Sequence, residues 1–280
     1  VTGLVSPGGA TLNLSAVGLF IPSAGDVYTL IENDGTADAV TGSFAGLAEG
    51  ALLADFLGSG FDAGISYQGG DGNDVVITVL DGTLTYTATP GDDTIEVRQT
   101  DVAGVMRIQV FVGGLLQSER TASTVTEIVI NGGDGADTLT LNYGGTGGFF
   151  GQNVTFHGGD PLSNPGDALV LTGGAFTTIV HTFVNASEGS VVLDGTTTVT
   201  YTGLEPVMDN LSATNREFLF TGGTEILTLV DAGGGQMTID STLGESVTFT
   251  TPTASLLINA GSGEDSVSIT PGRAVLHRPA

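Results

Sequence analysis

Apolar and polar residues alternate with a period of two over short stretches of this chain, as in Thr83-Leu84-Thr85-Tyr86-Thr87 and Thr138-Leu139-Thr140-Leu141. Such alternation puts every second side chain on one face of an extended strand. Gly, Asp and Asn close each stretch after about four to six residues, the usual length of a strand. Only 45–57 carries helix-like spacing, through Leu47, Leu52, Leu53, Phe56 and Leu57, and Gly46 and Gly50 weaken it. The pattern predicts an all-β chain.

The Gly-Asp punctuation recurs and divides the sequence into three blocks, 1–80, 81–205 and 206–280. Its copies are Gly69-Gly70-Asp71-Gly72-Asn73-Asp74, Gly91-Asp92-Asp93, Gly132-Gly133-Asp134-Gly135-Ala136-Asp137, Pro165-Gly166-Asp167 and Gly261-Ser262-Gly263-Glu264-Asp265. Each reads as strand, glycine turn, Asp, strand: glycine takes turn conformations that a Cβ forbids, and Asp accepts hydrogen bonds from turn amides. A unit that buries only one face needs stacked neighbours, which is the logic of a solenoid. The spacing is uneven, at 19, 44, 30 and 98 residues between Asp74, Asp93, Asp137, Asp167 and Asp265, so hairpin or loop excursions must intervene. The fold expected is a right-handed parallel β-solenoid, with tandem β-sandwich modules as the alternative. Its core should include Leu30, Ile65, Val76, Ile95, Val97, Ile128, Ile130, Leu139, Leu141, Leu169, Leu171, Leu257, Ile258 and Val267.

Charge narrows the partners. The 280 residues carry 31 acidic and 6 basic side chains, all six of them Arg, for a net charge of −25. That argues against nucleic acid and against anionic membrane surfaces, which are bound through clustered Lys and Arg. No apolar run reaches the ~18 residues of a membrane helix, and Val1 opens without a charged n-region or signal core, as in a processed or excised piece. With 40% hydrophobic residues the chain is too apolar for a disordered acidic tail. Cysteine is absent, which removes disulfides and thiolate metal sites.

Residues 69–77 and 132–140 fit the nonapeptide G-G-x-G-x-D-x-U-x, and 260–268 departs only in Ala260. They resemble the haemolysin-type (RTX) repeats, which implies a parallel β-roll with calcium held between turns by Asp carboxylates and turn carbonyls. The first block resembles autotransporter-associated passenger segments through Tyr28-Thr29-Leu30-Ile31-Glu32-Asn33-Asp34-Gly35 and Gly42-Ser43-Phe44-Ala45-Gly46-Leu47. Later blocks resemble repeats of giant bacterial cell-surface proteins through Gly91-Asp92-Asp93-Thr94-Ile95, Gly158-Gly159-Asp160 and Tyr201-Thr202-Gly203-Leu204-Glu205-Pro206-Val207. These resemblances imply a secreted, extracellular surface protein and bring no catalytic residues.

Calcium takes six to eight oxygen ligands, and Asp71/Asn73/Asp74, Asp92/Asp93, Asp134/Asp137 and Glu264/Asp265 each supply part of such a set; Asx turns satisfied by amides are the other reading of the same residues. His157, His181 and His277 lack zinc spacing, and no nucleophile elbow or phosphate loop is present. The function expected is a structural segment of a surface fibre, adhesin stalk or matrix protein. Calcium-dependent adhesion to glycans or cells is a second reading, and a polysaccharide-degrading β-helix enzyme acting through paired carboxylates a third. Residues 1–14 enter and Ser266–Thr270 leaves in strand pattern without a cap, so the chain is expected to stack on another copy or on adjacent repeats of a longer chain. The basic tail with Arg273, His277 and Arg278 is a candidate to seat against an acidic neighbour.

Overall fold

The computed structural model describes residues 3–33, 38–160 and 166–270; the basic tail lies outside them. Among the described residues every regular element is a strand except two short 3-10 turns, Phe56–Gly58 and Ala122–Thr124. The chain divides into two compact units, one formed by residues up to Leu84 with Glu119–Thr126, the other by Thr85–Ser118 with Glu127 onward.

The first unit is an antiparallel sheet. Its strands β1 (Val27–Ile31), β2 (Leu52–Leu53), β3 (Ala63–Gly69) and β4 (Asp74–Val79) lie in the order β1-β4-β3-β2. The helix-like stretch becomes β2 and a 3-10 turn, because Gly46 and Gly50 adopt φ of 74° and 73° and break any helical run. Ile65, Tyr67, Val75, Ile77 and Val79 form the core with Phe56 and Ala63, and Leu30 packs against its side. The rung stacking expected of the first block is absent here for a physical reason: the turn after β3 is too short for the crossover that parallel neighbours need. Asp62, fully buried, ties the distant Glu119–Thr126 segment to this unit. It accepts the amides of Thr121 (2.7 Å) and Asp55 (3.0 Å) and the Thr124 hydroxyl (3.1 Å), and pairs with Arg120 at 3.5 Å. Burial pushes its pKa up, but these hydrogen bonds win and hold it below the usual value.

The second unit is a β-solenoid of about five turns. Strand β5 (Thr83–Thr87) leads into β6 (Thr94–Val102), β7 (Val105–Val112), β8 (Leu115–Thr121), β9 (Glu127–Asp134), β10 (Thr138–Asn142), β11 (Asn153–Asp160) and β12 (Asp167–Thr172). It continues with β13 (Ala175–Asn185), β14 (Glu188–Leu193), β15 (Thr197–Thr202), β16 (Leu204–Asp209) and β17 (Ser212–Phe220). Last come β18 (Ile226–Gly233), β19 (Gln236–Ser241), β20 (Val247–Thr250), β21 (Ser255–Asn259) and β22 (Ser266–Thr270). They form a ten-stranded sheet, β22-β18-β19-β20-β16-β12-β10-β6-β7-β8, and an eight-stranded one, β21-β17-β13-β14-β15-β11-β9-β5.

Parallel register stacks like side chains into columns. Ile95, Leu139, Leu169, Val207 and Val247 are successive partners, all fully buried. In the other sheet Ile128, Val154 and Val199 form one such column, and Ile130, Phe156 and Tyr201 another. The uneven motif spacing comes from two excursions of one kind. At β13 the chain skips two places along the eight-stranded sheet, and β14 and β15 zigzag back antiparallel to fill the gap beside β11. At β18 it skips ahead along the ten-stranded sheet, and β19 and β20 return to β16. Gly189 is required within the first excursion, since a Cβ there would meet the Tyr201 hydroxyl at 2.5 Å and the Thr182 carbonyl at 2.6 Å.

One group of core expectations fails at the end of the stack. Val267, in register with the buried Leu227, is half exposed and Ile258, in register with the buried Phe218, only partly buried, because β21 and β22 are the last strands of their sheets and no further rung covers them among the described residues; Leu257 is half exposed because it pairs with Glu217, between the buried Arg216 and Phe218, and so faces away from the core. Ile269, in register with the buried Leu229, is exposed for the same reason as Val267, whereas Ile226 is exposed because it precedes the inward-facing Leu227 and points outward.

Candidate functional site

The Gly-Asp turns form a hydrogen-bonded ladder along one side of the solenoid. The Asp93 amide donates to Asp137 Oδ1 at 2.7 Å, and the Asp137 amide to Asp167 Oδ1 at 2.8 Å. Return bonds run from the Thr138 amide to the Asp93 carbonyl and from the Ala168 amide to the Asp137 carbonyl, both 2.8 Å. Asp265 repeats the arrangement with the Glu225 amide at 3.0 Å, and Asp92 accepts the Ala136 amide at 2.9 Å. In the first unit Asp74 accepts the Asn33 amide at 2.8 Å, while the Asn73 and Asn33 side chains both donate to the Asp38 carbonyl. The glycine ahead of each Asp has a partner role: a Cβ on Gly70, Gly132 or Gly158 would overlap the carboxylate of Asp74, Asp137 or Asp167.

These contacts separate the predicted site residues into two groups. Asp74, Asp93, Asp137, Asp265 and the exposed Asp92 use an oxygen to accept a backbone amide, and Asn73 is buried; Asp71, Asp134 and Glu264 are exposed. Among the described residues no three His, Cys, Asp or Glu side chains are grouped so as to hold a metal ion. Asp137 and Asp167 are fully buried and their Oδ2 atoms have no hydrogen-bond partner. Burial pushes both pKa values up, and for Asp137 the neighbouring charges of Asp167, Asp93 and Asp92 add to it.

A second polar cluster lies inside the core columns. Asp209 is in register with Phe249 in one sheet; in the other, Arg216 is in register with Ile179, and His181 with Phe218. All three polar residues are fully buried. His181 Nε2 lies 2.8 Å from Asp209 Oδ2, which also accepts Arg216 Nη1; Arg216 Nη2 donates to the Leu211 carbonyl at 2.9 Å, and the Leu211 amide to Asp209 Oδ1 at 3.0 Å. Burial depresses the His181 pKa, so the ring is neutral with its proton on Nε2. Burial raises that of Asp209, but His181, Arg216 and the Leu211 amide outweigh it and hold the carboxylate low. The ion pair is therefore Asp209 with Arg216, and Phe218 stacks on the imidazole with centroids 4.9 Å apart.

The third feature is a surface cavity of about 380 Å³ lined by Ala186, Glu205, Pro206, Asp240, Ser241, Gly244, Glu245 and Ser246. Register explains why three carboxylates meet there. Val207, Val247 and Ile239 are cross-strand partners on β16, β20 and β19, so Glu205, Glu245 and Asp240 fall at the same end of three adjacent strands. Ser241 fixes the turn: its Oγ accepts the Leu243 and Gly244 amides and donates to the buried Glu225. Glu205 and Asp240 are exposed, whereas Glu245 is 2% exposed and its Oε2 has no partner. Burial, then the charges of Glu205 and Asp240, push the Glu245 pKa up to about 8, against the pull of the Ser246 amide.

Known proteins give no further guide. No family model, curated protein or solved structure matches the chain. The cavity and the Asp209 cluster were not among the site residues expected from sequence. The available signal was strand phase: Asp209 alternates with Val207, and His181 with Ile179 and Phe183, which places each on an inward face. Of the other histidines, His157 is exposed and bonded to the Thr202 hydroxyl at 3.0 Å, and His277 lies outside the described residues.

Proposed function

We propose that the chain is a structural segment of a secreted, extracellular surface or matrix protein, in which the solenoid is a stiff spacer extended by further β-rungs. The observation that carries this reading is the open end of the stack. Among the described residues strands β21 and β22 end the two sheets, and Val267 and Ile269, in register with the buried Leu227 and Leu229, are left at 48% and 64% exposure. Edge strands of this kind offer unpaired backbone groups and apolar side chains to another strand. The columns that stack Ile95 through Val247 supply the register for such an addition. A net charge of −25 suits a long, soluble surface polymer.

In this reading the acidic turns serve first as rung-to-rung acceptors. Calcium enters as a ligand at the exposed Asp71, Asp92, Asp134 and Glu264, each in its own turn, relieving the repulsion of a chain with a net charge of −25. Two experiments test the proposal. Antibody labelling of intact cells should place the segment at the surface; labelling only after permeabilisation rejects that placement. A melting curve raised by millimolar calcium, but not by sodium at equal ionic strength, supports coordination over screening. Equal shifts with the two salts reject it.

A further inference from the structure

We propose that residues 11–21 of a second copy of this chain seat along β22, so that copies join head to tail. The inference rests on reading the open end of the stack as a site of strand addition, and it names what is added. Residues 11–22 belong to no strand, and among the described residues their backbone groups make no hydrogen bond. Val17, Leu19 and Ile21 project from this segment at 85%, 98% and 70% exposure. Unmet backbone groups beside apolar side chains are what one edge strand uses to capture another. Leu12 packs against the core of the first unit, and Phe20 meets the Tyr28 ring edge-on with centroids 5.8 Å apart. The segment is thus held near both ends, and little ordering is left for docking to supply.

Pattern and charge select a second copy as the occupant. Strand β22 reads Ser266-Val267-Ser268-Ile269-Thr270, and Thr11-Leu12-Asn13-Leu14-Ser15 repeats that order of polar and apolar residues. The solenoid already stacks strands of this pattern, as where β10 sets Leu139 beside Leu169 and Leu141 beside Leu171 of β12. Copies with a net charge of −25 repel one another, and the repulsion is weakest where neither surface carries charge. Residues 1–25 contain no charged side chain, and neither do β21 and β22. The two surfaces differ, so the contact is heterologous: each copy that docks brings a free β22 of its own.

The test mixes two variants of the whole chain at physiological salt, with mass measured by light scattering. A head variant carries Val17→Glu and Leu19→Glu, and a tail variant Val267→Glu and Ile269→Glu; glutamate avoids a new attraction to the acidic surface. All four side chains are exposed, so both variants should melt as the native chain does, and Leu19→Glu alone decides the matter where a double substitution does not fold. A charge forced into the apolar contact should weaken association about a hundredfold or more. Each variant alone should therefore stay monomeric where the native chain associates. Their mixture should form a one-to-one dimer that grows no further, because it holds one intact head and one intact tail. A head variant that associates as strongly as the native chain, while the tail variant does not, would overturn this inference and leave the open end as a site of addition. Two folded monomeric variants that stay apart on mixing would also overturn it. A native chain that is monomeric at every concentration would remove the open-end reading, and this inference with it.

Discussion

Replacing Glu245 by Gln should change how stability depends on pH more than it changes stability itself. The carboxyl titrates near its ordinary value of 4.5 in the unfolded chain and at about 8 in the folded one. Between those values the native state holds a proton that the unfolded state has released, so unfolding becomes easier as pH rises, by about 1.4 kcal/mol per pH unit. Stability from this group is complete below pH about 4.5 and gone above about 8. From pH 5 to pH 8 the wild type should lose about 4 kcal/mol that the variant keeps, because Gln mimics the neutral acid and still accepts the Ser246 amide. Burial supports a shift of this size, Glu245 being 2% exposed. His181 has the opposite sign, its depressed pKa costing stability as pH falls below about 6.5; taking the difference between the two proteins removes it. Guanidinium denaturation followed by tyrosine fluorescence at pH 5, 6, 7 and 8 measures that difference. Parallel wild-type and variant profiles would refute the buried, unpartnered carboxyl.

Other predictions follow from the ladder and the core. Asp167→Asn should be tolerated at pH 7, since its amide oxygen still accepts the Asp137 N–H, whereas Asp167→Ala should cost about 1–3 kcal/mol by leaving that amide unsatisfied; equal losses in calorimetry would contradict the ladder. Gly158→Ala should destabilise by about 1–3 kcal/mol or more, because the new Cβ overlaps Asp167 and the Gly203 carbonyl; an unchanged melting temperature would count against the close approach. Arg216→Met should cost about 3–5 kcal/mol by stranding Asp209, and adding Asp209→Leu should restore part of it; a double variant worse than the single one would show that the cluster is not an ion pair.

Much of this fold was legible because a solenoid writes its period locally. Ile95, Leu139 and Leu169 each sit one or two residues after a Gly-Asp turn, so the motif fixed both the strand and its phase, and all three are fully buried. The excursions were legible as interruptions of spacing, but not their route, since nothing local says that β13 lands two places ahead of β15. Val267 follows its acidic turn as Leu139 does, and its exposure depends on whether another rung follows, which is a fact of assembly; Leu257 belongs to an apolar run whose phase only its register with Glu217 reveals. Glu205, Asp240 and Glu245 come together only through the β16-β20-β19 pairing, a contact across 40 residues that no motif encodes. Arg216 and Asp209 occupy inward positions by phase, yet polarity alone reads each as surface until its partner across the core is seen.

Sedimentation velocity across a wide concentration range at physiological salt tests the open end most directly, comparing the native chain with a Val267→Lys, Ile269→Lys variant. These two residues lie on β22, where they are exposed and, among the described residues, pack against no further rung, so the substitutions should leave the fold intact while charging the edge. The account predicts that the native chain forms larger, elongated species as concentration rises and that the variant stays monomeric. A native chain that remains monomeric at every concentration, with β22 amides as protected from hydrogen exchange as those of β12, would contradict it.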